Sequence, residues 1–234
     1  LQAKLEAYRK VSQKVLGARA LFSRDPQRCG KEQLASGVLI LQANLLRVNP
    51  DFYTAWNHRK ELLLAEQIAA GGSGTASENE PDPPSNATPS VATPPYPLSP
   101  EALQRELKLT SECIQKQPKS YGAWHHRFWV IGGGGADLQA ELSLCADFLD
   151  MDERNFHCWA YRSHVATLAS VSAEDELEYT YEKILQNFSN YSAFHYRSKT
   201  LERMNWQTDR DAKMARLKEE LDIVIQAAFT DPND

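Results

Sequence analysis

The sequence is poor in cysteine, and its four cysteines, Cys29, Cys113, Cys145 and Cys158, lie far apart with no CxxC pair. That spacing excludes a zinc ribbon or a disulfide framework and fits the reduced thiols of a cytoplasmic protein. No run of about 18 apolar residues is present, so a membrane span is excluded. The N-terminal stretch is charged and has no apolar signal core. Basic residues form no long stripe, and the net charge is −5, which argues against nucleic acid as a partner. No segment alternates with period two, so strands are not expected. There is no HExxH, and the adjacent His125 and His126 diverge on a helix, so no metal site is expected in this chain. Gly132–Gly135 ends a helix but lacks the lysine and flanking elements of a phosphate loop.

What the chain does have is a repeat. Trp56, Trp124, Trp159 and Phe194 are each followed three residues later by an arginine: Arg59, Arg127, Arg162 and Arg197. Three residues before them stand Tyr53, Tyr121, Phe156 and Tyr191, and seventeen before them Leu39, Leu107, Leu142 and Leu177. The last three anchors are 35 residues apart, whereas Trp56 and Trp124 are 68 apart. Each unit reads as two helices joined by a Pro-led turn. Leu138, Leu142, Cys145 and Leu149 mark one face of a first helix, and Leu217, Leu221, Val224 and Ala228 mark another. The second helix opens near the aromatic at minus three.

This pattern predicts an all-α fold, a right-handed α-α superhelix (solenoid) of stacked, tetratricopeptide-like helical hairpins of about 35 residues. It is read as a single helical-repeat domain over 1–234, with 1–22 as a leading helix. The Gly-, Ser- and Pro-rich stretch 69–97 has too few apolar residues to offset the entropy of ordering and is read as a disordered insertion. It accounts for the long first spacing. A fifth repeat opens at Leu221 and is truncated, its anchor falling at 238, so the natural polypeptide is expected to continue.

Positions fixed across the repeats are assigned to the fold: the leucine, both aromatics and the arginine. The arginines are expected to stack on a neighbouring indole or to bond carbonyls of the next unit. Positions that vary are where function is sought. Five before the anchor stand Asp51, Lys119, Arg154 and Ser189, and two before it Thr54, Gly122, His157 and Ser192. Stacking should bring Lys119 and Tyr121 near Arg154 and His157, at a rim where second helices expose unpaired N–H groups. An anion site and a solvated rim charge are both consistent with those residues.

The segments NPDFYTAWNHR, PKSYGAWHHR, DERNFHCWAYR and NFSNYSAFHYR resemble the α subunits of protein prenyltransferases. The resemblance covers nearly the whole chain except 69–97. KSYGAWHHR, ERNFHCW and NFSNY with HYRS look most like the Rab geranylgeranyltransferase (type II) α subunit. The resemblance implies a heterodimer in which this chain wraps a β subunit that carries zinc and the isoprenoid. It implies transfer of geranylgeranyl from geranylgeranyl diphosphate to C-terminal cysteines of Rab GTPases delivered by a Rab escort protein. Lys119 matches the lysine that contacts the diphosphate, Tyr121 a tyrosine facing the same cleft, and His157 a histidine near it; Arg154 has no such match. Gly122 stands where the farnesyltransferase-type motif has a glutamine that reads the substrate carboxylate. The alternatives are the α subunit of farnesyltransferase or type I geranylgeranyltransferase, or a helical-repeat scaffold without catalysis.

Overall fold

A computed structural model of the chain describes residues 6, 9–10, 12–17, 32–69, 97–204 and 210–230. The described residues are helical, without a strand. Residues 12–17 are helical within the expected leading helix, whose remainder lies largely outside the described residues. The expected insertion likewise lies outside them, except for its two end residues. The chain divides into two compact units, Leu1–Ala136 and Asp137–Asp234.

The first unit holds two hairpins, α1 (Glu32–Val48) with α2 (Tyr53–Ala69) and α3 (Pro100–Lys116) with α4 (Tyr121–Gly132). Each second helix begins at the minus-three aromatic, as the repeat predicts. Within the unit α1 packs on α3 and α2 on α4, so like helices lie side by side. The core joins Val38, Leu39, Leu62, Leu63, Leu98, Ala102, Leu103, Trp129 and Val130. Helix α3 starts where Ser99 accepts a hydrogen bond from Ala102 N and Pro100 pre-sets the first turn. Helix α4 stops at the glycine run, where Gly134 and Gly135 take φ of 84° and 79°, a conformation glycine adopts without steric cost.

The second unit holds α5 (Leu138–Met151) with α6 (Phe156–Leu168), α7 (Ala173–Gln186) with α8 (Tyr191–Arg203), and a further helix α9 (Arg210–Thr230). Asp137 caps α5, and Ser172 caps α7, whose first turn carries Glu174, Asp175 and Glu176 against the helix dipole. Helix α9 has the apolar spacing of a first helix, yet Leu217, Leu221 and Val224 are exposed along it.

A buried polar latch recurs through both units. Arg59 donates to Glu106, Nε to Oε2 at 2.5 Å and Nη2 to Oε1 at 2.8 Å, and its Nη1 donates to Leu39 O at 2.7 Å. Arg162 holds Glu176 in the same way, and Arg197 holds Glu220. Each glutamate stands one residue before a register leucine, and each arginine belongs to the preceding hairpin. The glutamate is also gripped from its own hairpin, Glu106 by His126, Glu141 by Tyr161 and Glu176 by Tyr196. Arg59, Arg162 and Arg197 therefore bond the next hairpin through a carboxylate. The carbonyls that Arg59, Arg127 and Arg197 meet, Leu39 O, Leu107 O and Leu177 O, belong to their own hairpin's first helix. Arg162 lies over the ring of Tyr179, 3.3 Å from its centroid, a ring other than an anchor indole.

Candidate functional site

The turn carrying Lys119 is built from its neighbours' hydrogen bonds. Gln117 N donates to Cys113 O at 2.9 Å to end α3, and Ser120 N donates to Gln117 O at 3.0 Å to close the turn. Ser120 Oγ then accepts from Ala123 N at 3.2 Å and caps α4. The Trp124 indole donates to Pro118 O at 2.7 Å and pins the turn from below. Trp56 and Trp159 make the same bond, to Pro50 O at 2.7 Å and Glu153 O at 2.8 Å. The anchor is thus a staple for its own turn as well as a core residue, and Phe194 fills the fourth place without the N–H.

The first turn is tied to the second through Asp51. Its carboxylate accepts from Ser120 Oγ at 2.7 Å and from Gln117 Nε2 at 2.5 Å. Lys119 is exposed between Pro118 and the capping serine, and Tyr121 opens α4 with 58% of its surface exposed. The first turn of α4 has no acidic residue of its own, and the carboxylate that faces the positive end of its dipole is Asp51, through the capping serine. Lys119 and Tyr121 accordingly flank one cap, at the N-terminus of one helix.

In the second unit Asn155 caps α6 by accepting from Cys158 N at 3.2 Å, and His157 is buried with its ring 3.9 Å from that of Phe156. Arg154, on the other side of the cap, is engaged by the following turn. Its Nη2 lies 3.4 Å from Ser189 O and its guanidinium 5.1 Å from the centre of the Tyr191 ring. Those contacts tie Arg154 to the turn of the following hairpin.

Two expectations change. The aromatics at minus three do not serve the core: Tyr53, Tyr121, Phe156 and Tyr191 are 52, 58, 54 and 64% exposed. A side chain at the first helical position leans back beyond the helix end, so these rings project past the turn. Gly122 has a steric reason of its own. A Cβ there would sit 2.7 Å from Pro50 O and 2.8 Å from Trp56 Nε1, closer than any side chain tolerates.

His125 and His126 diverge as expected, His125 exposed and His126 buried between Trp56, 4.5 Å away by ring centroids, and Glu106. Burial alone would raise the Glu106 carboxyl, but the His126 hydrogen bond and the Arg59 charge outweigh it and hold it at about 2. Burial lowers His126 to about 4 against the pull of Glu106. The pair is therefore carboxylate and neutral imidazole at neutral pH, with the proton on Nε2. The glutamate latch is what the repeat reading missed. Its signal was present, a glutamate immediately before the leucine at Leu107, Leu142, Leu177 and Leu221.

The protein prenyltransferase alpha subunit repeat matches residues 43–66, 103–133, 138–168 and 173–204, together half of the chain. Each match contains one anchor and its arginine. Geranylgeranyl transferase type-2 subunit alpha of Homo sapiens is 38% identical over 239 residues, covering 100% of this chain and 36% of its own length. The protein of the same name from Sus scrofa is 37% identical over 212 residues, 86% of this chain and 32% of its own length. That from Schizosaccharomyces pombe is 32% identical over 255 residues, 100% of this chain and 64% of its own. The chain thus spans about a third of the length of the mammalian relatives it matches.

Proposed function

The chain belongs to the protein prenyltransferase alpha subunit family, and from that premise we propose that it is the α subunit of a heterodimeric type-2 geranylgeranyltransferase. The observation that carries this reading is the coincidence of four repeats in register with a lysine and a tyrosine flanking the cap of α4. The reaction moves a geranylgeranyl group from geranylgeranyl diphosphate to C-terminal cysteines of Rab GTPases presented with an escort protein. The chain does not act alone: it wraps a β subunit that holds the isoprenoid.

Zinc belongs to that β subunit, where it lowers the pKa of the substrate thiol. Among the described residues of this chain no group of three His, Cys, Asp or Glu side chains is placed to hold a metal. What this chain supplies is charge. As the C–O bond to the diphosphate breaks, negative charge grows on the leaving oxygens, and an ammonium fixed beside them stabilises the transition state more than the ground state. Lys119 has that role. The Tyr121 hydroxyl donates to the same oxygens.

The test is transfer of a radiolabelled geranylgeranyl group to a Rab substrate with escort protein. The chain alone is expected to be inactive, and the chain with a type-2 β subunit active. Absence of transfer from a correctly assembled pair would favour a binding scaffold.

A further inference from the structure

The turn of the first hairpin grips the turn that carries Lys119 on both sides of the lysine. Asp51 is half-buried, and its own place is set by Asn49, whose Oδ1 accepts from Asp51 N at 3.2 Å. Its two carboxylate oxygens are divided between neighbours of Lys119. Oδ1 accepts from Ser120 Oγ at 2.7 Å, one residue after the lysine, and Oδ2 from Gln117 Nε2 at 2.5 Å, two residues before it. Gly122 lets the same two turns approach, since a Cβ there would sit 2.7 Å from Pro50 O.

The bond to Ser120 reaches further than the turn. Ser120 is fully buried, and its hydroxyl accepts from Ala123 N to cap α4 while giving its own proton to Asp51. The caps of α6 and α8 are asparagines, whose Oδ1 accepts from Cys158 N and Ala193 N and has no proton to give. In the second unit the tie between turns leaves the cap out: Asn187 Nδ2 donates to Glu153 Oε1 at 2.6 Å. Among these three second helices, the one beside Lys119 is thus the one whose capping hydroxyl is fixed by a carboxylate of the preceding hairpin.

We propose that Asp51 is a positioning residue for the diphosphate contact: it fixes the turn from Gln117 to Ser120 on the preceding hairpin, and with it the place from which Lys119 and Tyr121 reach the leaving group. The inference rests on the reading of Lys119 as that contact. Lysine is a point charge on a flexible four-carbon stem, so the fold can fix its Cα and little more. A misplacement of about 1 Å there is on the scale that costs a reaction up to a hundredfold. Charge alone argues for the opposite effect. A carboxylate beside a site for a diphosphate repels the anion, so its removal should quicken transfer if Asp51 acts only through its field. The two donors it holds on either side of Lys119 account for its presence there.

The experiment is single-turnover transfer by the assembled heterodimer at varied geranylgeranyl diphosphate. Asp51→Ala is expected to slow the chemical step roughly tenfold, with the half-saturating diphosphate concentration unchanged. Asp51→Asn removes the charge but keeps an Oδ1 that accepts from Ser120 and an amide that a turned Gln117 amide meets, so it should recover most of the rate. Asp51→Ala added to Lys119→Ala should cost nothing further, because the residue acts through the lysine. Gln117→Ala, at an exposed position, removes one of the two bonds without touching the cap. It should give a smaller loss, again absent without Lys119, and it serves where Asp51→Ala does not assemble. An unchanged or faster rate in Asp51→Ala, equal losses in the Ala and Asn variants, or a loss that persists in the Lys119→Ala background overturns the positioning role. Each leaves the Lys119 reading standing while Lys119→Ala alone is slow. A Lys119→Ala enzyme as fast as the unaltered one overturns both.

Discussion

Arg59 and Glu106 form a two-point ion pair between consecutive hairpins, with side chains only 1% and 0% exposed. The pair is the first of a series that continues at Arg162–Glu176 and Arg197–Glu220. It explains why the arginine recurs. One edge of the guanidinium faces the neighbouring carboxylate while Nη1 satisfies the carbonyl of its own register leucine. Such a latch fixes the register of one hairpin on the next, which apolar packing alone specifies less sharply.

Breaking one side of this latch should be costly. Glu106→Ala leaves a buried guanidinium uncompensated and is expected to destabilise the chain by about 3–5 kcal/mol. The double variant Arg59→Leu with Glu106→Leu removes both charges and should cost clearly less. Urea denaturation of the two variants decides it, and equal losses would mean that the charge is not what matters.

His126 makes stability depend on pH. Its folded value of about 4 lies below the ordinary 6.5, so unfolding takes up a proton between those limits. Stability is therefore full above about 6.5 and falls as pH drops toward 4, by on the order of 3 kcal/mol across the window. His125 and His164, also lowered by burial, add in the same direction. Below about 4.5 the depressed Glu106 extends the loss toward 2. Urea midpoints at pH 7 and pH 5 should differ in the unaltered chain, and His126→Gln should shrink the difference.

The hairpins were legible because Trp56, Trp124, Trp159 and Phe194 impose a period that no solvent-exposed drift would keep. Where each second helix begins was legible too, from the aromatic that opens it. What that aromatic does was not, because a fixed aromatic in a repeat suggests a core, whereas a first-position side chain points past the helix end. The glutamates escaped notice for the opposite reason. In a charged first helix Glu106 read by itself resembles a solvated residue; its recurrence before each register leucine was the signal, and its buried partners stand twenty and forty-seven positions away. What Asp51 does gave no sequence signal, since its partners Gln117 and Ser120 stand on the turn of the next hairpin.

Gly122 is expected to tolerate no side chain. Gly122→Ala puts a methyl against Pro50 O and the Trp56 indole. The turn must shift, at a cost of about 1–3 kcal/mol. A thermal melt that matches the unaltered chain would show that the contact relaxes freely, and would leave subtype as the better reason for the glycine.

Lys119→Ala in the assembled heterodimer should slow geranylgeranyl transfer roughly a hundredfold, the scale of removing one preorganised donor from a developing anion. Assembly should be untouched, because Lys119 is exposed beside the cap and its loss leaves Ser120 in place. Lys119→Arg should recover part of the rate. Single-turnover kinetics with excess enzyme report the chemical step directly, and an unchanged rate would remove Lys119 from it.

Pairing with a β subunit is the claim on which the rest depends, and its direct test is mass. Co-expression of the 26.4 kDa chain with a type-2 β subunit, followed by size exclusion with light scattering, should give one species whose mass is that of one copy of each. A folded, helical chain that elutes at 26.4 kDa and leaves the β subunit unbound would contradict it.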